Sequence, residues 1–287
     1  MFDFRYHALS LVAVFLALAI GILLGMTIVD PLGRDVRSSL RDDVVEARRS
    51  ARDADDQLKR RDELIADVFP RLAAERLRGV RVALVASGDL PDGVEGPVRE
   101  AVEVAGGTVD SVSVLEASEV PGDVAAALDG GAVRPSGDRS ALRRLARRIG
   151  AAIARGRRDA RVLQRALPDR FRGDYRGADA VVLYRAPAEQ EEGEDARAAA
   201  RASGRAAFED QLVSAMDEVG APVVGVEEFS TEPSTVPWYE QRELTSVDSV
   251  DLPAGRLALV YSLDGSRGTF GLKDTADRPL PELGPRG

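Results

Sequence analysis

Residues 8–29 read ALSLVAVFLALAIGILLGMTIV, a run without one charged side chain that begins seven residues into the chain. As a helix it would reach about 33 Å at 1.5 Å per residue, enough to cross the hydrocarbon core of a bilayer. Its only hydroxyls, Ser10 and Thr27, can bond back to their own helix. A cleaved leader would instead carry about 7–15 apolar residues and a small-x-small cleavage site, and Met26-Thr27-Ile28-Val29-Asp30-Pro31 offers none. The run therefore predicts a retained single-pass anchor over 1–30. Arg5 and the amino terminus, against Asp3 alone, suit a tail inside the cytoplasm. Arg34, Arg37 and Arg41 argue the reverse, but long domains translocate largely regardless of charge. The expectation is a C-terminal domain outside the cytoplasm, with its function exercised beside a membrane.

The next segment, 31–78, predicts a coiled-coil stalk. Leu40, Val44, Ala47, Ala51, Ala54, Leu58, Ile65 and Val68 follow heptad spacing, with Arg61 interrupting the seam and charges of both signs between. Gly21 and Gly25 in the preceding run have the small-xxx-small spacing that lets two membrane helices approach closely. Together these ten positions predict a parallel homodimer or higher oligomer. The alternative is one helix packed on its own domain. Pro70 is expected to end the stalk, because it lacks an amide donor and disfavours helix at Phe69.

From Gly79 the period changes. Runs at 80–87, 108–115, 180–184, 223–226 and 257–263 read as buried strands; 94–105, 139–156 and 197–219 read as helices. Strands alternating with helices predict an α/β domain over 79–287, with a mostly parallel sheet of about five strands covered on both faces. The acidic stretch 189–195 reads as an exposed loop.

Composition closes off most chemistry. There is no cysteine, so neither disulfides nor zinc-thiolate sites are available, and the one histidine, His7, leaves no Ser-His-Asp arrangement. Loop 88–96 follows a strand and precedes a helix, as phosphate loops do. It carries Asp89, Asp92 and Glu95 with no lysine, so it reads as an ordinary turn. Asp248 and Asp251 suit turn-capping better than acid–base work. The net charge of −9 argues against nucleic acid. Acids dominate 88–131, arginines 134–176. The arginine-rich face either meets anionic lipid, envelope polymer or an acidic partner, or is neutralised by helices of its own domain. The residues call for no catalytic site, no metal site and no cofactor, and the chain is expected not to be an enzyme.

FRYHALSLVAVFLALAIGILLG at 4–25, RGVRVALV at 78–85, LTSVDSVDLPAGRLALV at 244–260 and GTFGLK at 268–273 resemble the actinobacterial MctB family, named for mycobacterial copper transport. The resemblance covers both ends and the order anchor, coil, domain. It implies copper transport or homeostasis, an outer-envelope location, and a role in envelope or division control beside a partner protein. Copper enters through the resemblance only. Copper(I) favours thiolate, thioether and imidazole ligands, and the chain offers Met1, Met26, Met216 and His7. One helix cannot line a channel, and no series of alternating ten-residue strands suits a membrane barrel.

Overall fold

A computed structural model describes residues 4–115, 124, 126–128, 139–156, 158–187, 196–218 and 220–284, with the side-chain surroundings of 4–9, 25–43, 139, 142 and 196–204 outside that description. The chain divides into two compact units, Met1–Arg61 and Asp62–Gly287.

Helix α1 runs from Phe4 to Ala73. Among the described residues no helix is long and apolar enough to cross a membrane. Within the apolar run, side-chain surroundings are described for 10–24. The anchor expected over 1–30 thus receives no support from the fold. The large apolar side chains of that part are all exposed, from Leu11 at 62% to Leu24 at 54%. Pro70 does not end the helix, which continues to Ala73. Pro70 forfeits the bond its N–H would have made to the carbonyl four residues before it, and burial of Phe69 and Ala73 in the domain core by the last turn offsets that loss.

Seven strands form one sheet in the order β3-β2-β1-β4-β5-β6-β7. Their ranges are β1 Arg81–Ser87, β2 Thr108–Leu115, β3 Phe171–Gly173, β4 Ala180–Arg185, β5 Val223–Val226, β6 Thr245–Val247 and β7 Thr269–Phe270. All neighbours pair in parallel except β2 and β3. The central strands are β-branched and apolar, so successive side chains supply both faces. Val82, Leu84 and Ala86 face a layer built from α2 (Asp92–Val104) and a C-terminal helix, Pro253–Leu263. Ala83 and Val85 face the opposite layer, made by α3 (Arg139–Arg155), α4 (Arg158–Ala166) and α5 (Ala196–Asp217). A short helix, α6 (Val236–Glu240), precedes β6, and the C-terminal helix is α7.

Residues 257–263, expected as a strand, lie inside α7. The helix is buried on nearly every side, Pro253 and Arg256 excepted, so no amphipathic period separates it from a buried strand. Pro253 at its start supplies the preset φ of a first helical turn. The sheet has seven strands instead of about five because β3, β6 and β7 are only two or three residues long.

Both sheet edges are occupied by the chain itself. At β3, the Gln164 amide donates to Gly173 O at 2.6 Å. Beyond β7, Gly271 N donates to Arg278 O at 3.1 Å and Asp277 N to Thr269 O at 3.2 Å.

Candidate functional site at the carboxyl end of the sheet

In a doubly wound sheet, ligands enter where the strand order reverses, outside the carboxyl ends of the strands. Here that point lies between β1 and β4, and it is filled. Glu209, on α5 and 1% exposed, accepts from Ser87 Oγ at 2.6 Å, from Arg185 Nε at 2.9 Å and from Arg205 Nε at 2.9 Å. Arg205 also donates to Ala186 O at 3.0 Å. A Cβ on Gly88 would stand 2.5 Å from Ala186 Cβ, so the exits of β1 and β4 touch. At the start of α2, Gly93 packs directly against the Glu228 carboxylate. Loop 88–96 is a strand-to-helix turn facing its own acid.

The carboxyl ends of β5 and β6 hold a second polar cluster. Glu227, fully buried, accepts from Ser234 Oγ at 2.8 Å, Thr235 N at 2.5 Å, Thr235 Oγ1 at 2.7 Å and Lys273 Nζ at 2.8 Å. The same ammonium donates to Thr231 O at 2.7 Å. Asp248, also fully buried, accepts from Leu272 N at 2.7 Å, Lys273 N at 3.2 Å and Ser249 Oγ at 2.5 Å. Burial raises its carboxyl above the ordinary aspartate value, against the pull of those donors. Asp251 accepts from Phe229 N at 2.8 Å. The expected turn-capping role of Asp248 and Asp251 is thus corrected: each mainly ties loops more than twenty residues away in the chain. Gly271 and Gly255 leave the space that the Asp248 carboxylate and the Ser249 backbone occupy. Each acceptor and the ammonium is committed to an internal partner, an arrangement that holds loops instead of activating a nucleophile. Among the described residues, no group of three or more His, Cys, Asp or Glu side chains is placed to hold a metal ion.

Above this cluster a cleft of about 960 Å³ opens between 229–234 and 272–275. Phe229, 51% exposed, and Leu272, 43% exposed, both line it. A second cavity of about 740 Å³ lies at the amino ends of β5 and β6, where Arg242 pairs with Asp210 and stacks on Trp238 at 3.9 Å.

Glu228 gives this region a pH signature. Burial first, and then the charge of Asp251, raise its carboxyl above the ordinary glutamate value. With the folded value raised, the folded chain binds more protons than the unfolded one above about pH 4.5, so this group lowers stability as pH rises through that window. Glu228→Gln should therefore be more stable than the parent at neutral pH, with the gap closing as pH falls toward 4.5. Urea midpoints at a series of pH values check this; a gap that widens on acidification would contradict it.

The positions expected at a dimer seam all lie on α1. Val44, Ala47, Ala51, Ala54 and Leu58 are exposed in the single chain, while Ile65 and Val68 are half-buried. Nothing lies within 4 Å of a Cβ built on Gly21. The surroundings of Gly25 and Leu40 fall outside the described residues, as does the acidic stretch 189–195. In the arginine-rich segment, Arg148 pairs with Asp159, Arg147 with Glu218, Arg172 with Glu95 and Arg176 with Asp174. Arg143, Arg155, Arg158, Arg161 and Arg165 are exposed. Neutralisation by neighbouring elements therefore accounts for part of that face.

Glu209 and Glu227 are not evident from sequence, because their partners lie far along the chain. Lys273 carried a compositional signal: it and Lys59 are the only lysines among 39 basic residues. Where arginine is the default, a lysine marks a place that suits a compact ammonium.

No curated protein matches the chain. The family described as copper transport outer membrane protein, MctB, matches residues 1–281 of the 287, which includes the anchored loops of the cleft and all of α1; the chain belongs to the MctB family.

Proposed function

We propose that this chain serves copper homeostasis at the cell envelope without catalysing a reaction, as a membrane-held oligomer joined through α1. The observation that carries the reading is the family match over residues 1–281. The charge-free run 8–29 supports single-pass anchoring with the folded domain outside the cytoplasm, and the exposed heptad positions of α1 support the oligomer. Copper is cargo in this reading, and the donor set argues that its handling is indirect. Cysteine is absent, the one histidine is His7, and Met216 is fully buried in the domain core. The remaining carboxylates are hard ligands that suit other ions better.

Two measurements test this. Copper(I) titrated with a competing chelator against the full chain carrying His7→Ala and Met26→Leu should show no site of submicromolar affinity. Stoichiometric tight binding by that variant would restore direct copper handling by the domain. For assembly, Ala51→Cys or Ala54→Cys should crosslink to its twin under mild oxidation, since seam Cα atoms lie near the separation a disulfide bridges. Crosslinking at Arg52→Cys but at neither seam position would sink this register.

A second reading, an envelope or division scaffold whose domain binds a partner protein, draws on the open cleft with Phe229 and Leu272 at its mouth. Copper sensitivity on deletion, with no metal carried by the purified chain, favours this reading over direct transport.

A further inference from the structure

We infer that the cleft between 229–234 and 272–275 is a preformed docking site for a cationic, apolar peptide segment of a partner protein, an inference that rests on the partner-binding reading. Among the described residues outside α1, the exposed large apolar side chains are Phe229, Leu272 and Leu283, and the first two converge on this one cleft.

Their backbones are held by acids, Asp248 fully buried and Asp251 half-buried. Phe229 N donates to Asp251 at 2.8 Å, and Leu272 N donates to Asp248 at 2.7 Å. The loops between them are tied further by Glu227, which takes Ser234, Thr235 and Lys273 together. Exposed apolar side chains on freely moving loops would have to be ordered on binding; here that cost is already met by folding.

Charge selects the occupant. Lys273 is the only cation of the lining, and its ammonium is committed to Glu227 and Thr231 O. Glu232 and Asp274 remain at the rim, both exposed, and neither has an ion pair among the described residues. Glu228 and Asp251 add negative potential beside it. A cleft lined mainly by polar residues, with Phe229 and Leu272 exposed in it and an acidic rim, fits leucine-like side chains carried beside arginine or lysine, and repels an acidic segment.

The full chain in lipid nanodiscs, titrated with fluorescent twelve-residue peptides, tests this. Peptides alternating Leu with Arg, Leu with Glu, and Ser with Arg separate apolar from ionic recognition. The Leu/Arg peptide should bind the parent at least tenfold more tightly than the other two. Phe229→Ala with Leu272→Ala should weaken it at least tenfold, and Glu232→Gln with Asp274→Asn should remove most of its salt dependence. An unchanged thermal midpoint shows that the variants are folded. Equal binding of the Leu/Glu peptide, or no loss in the Phe229/Leu272 variant, overturns the proposal. Loss of chain self-association in that variant would instead make a second copy the occupant, and also overturns it. Returning the variant to cells that lack the chain separates this inference from its premise. A growth defect without loss of peptide binding rejects the cleft alone; lost peptide binding with normal growth and division rejects the scaffold role alone.

Discussion

Gly255→Ala is expected to lower the thermal midpoint by roughly 10 °C, or to prevent the domain from folding. A Cβ at this position would stand 2.5 Å from Ser249 C and 2.9 Å from Asp248 O, and would overlap Ser249 O. These are backbone atoms, so no rotamer change relieves the clash. Ser249 is itself fixed, with φ at +57° and its hydroxyl on Asp248. The helix would have to move as a body, taking Leu257, Leu259 and Val260 out of a closed core. Overpacking commonly costs about 1–3 kcal/mol and more when backbone must shift; at about 2–4 °C per kcal/mol for a domain of this size, a cost near 3 kcal/mol gives the stated shift. Gly284→Ala is the control. That glycine has nothing inside 4 Å of the added carbon and lies outside the helices, so its midpoint should match the parent's. Thermal unfolding followed by circular dichroism decides the matter. A Gly255→Ala midpoint within 2 °C of the parent would show that the α7 start is not the rigid junction described.

Glu209→Ala is expected to cost about 3–5 kcal/mol, the usual penalty for removing one partner of a buried charge cluster. The loss leaves Arg185 and Arg205, with side chains 15% and 23% exposed, facing each other across a vacated acceptor, and it orphans Ser87 Oγ. Glu209→Gln keeps the volume and one acceptor oxygen but not the charge, and should fall between the parent and alanine. Because the cluster is nearly dry, the loss should change little between 0.05 and 0.5 M salt, unlike that of an exposed pair such as Arg147–Glu218. Urea midpoints of the three proteins at two salt concentrations measure this. A cost under about 1 kcal/mol would mean that water reaches the switch point, and the crevice would again become a candidate ligand site.

What was legible in the sequence was what local pattern encodes. Strands β1, β2, β4 and β5 announce themselves as apolar runs bounded by turns, and α2, α3 and α5 as helices between them. The period failed where burial is complete, as along 257–263, and where pairing outweighs pattern, as in the three residues of β6. The cleft was legible only in fragments. Asp248 and Asp251 stood out as a pair, but Leu272, Lys273 and Glu227 reach them through β6 and β7, at separations that no spacing rule connects. Gly255 and Gly271 lie in the stretches that resemble the family, and their reason, close approach to Ser249 and Asp248, exists only in three dimensions.

The occupied edges of the sheet bear on crowding. Any assembly that gathers copies through α1 holds its domains at an effective concentration in the millimolar range. At that density an open strand would template cross-chain pairing and, in time, cross-β aggregation. Gln164 on Gly173, and residues 277–278 along β7, deny neighbouring copies such a template. Were copies held together by that helix, collisions between their domains would end in separation, and stoichiometry would be left to the helix.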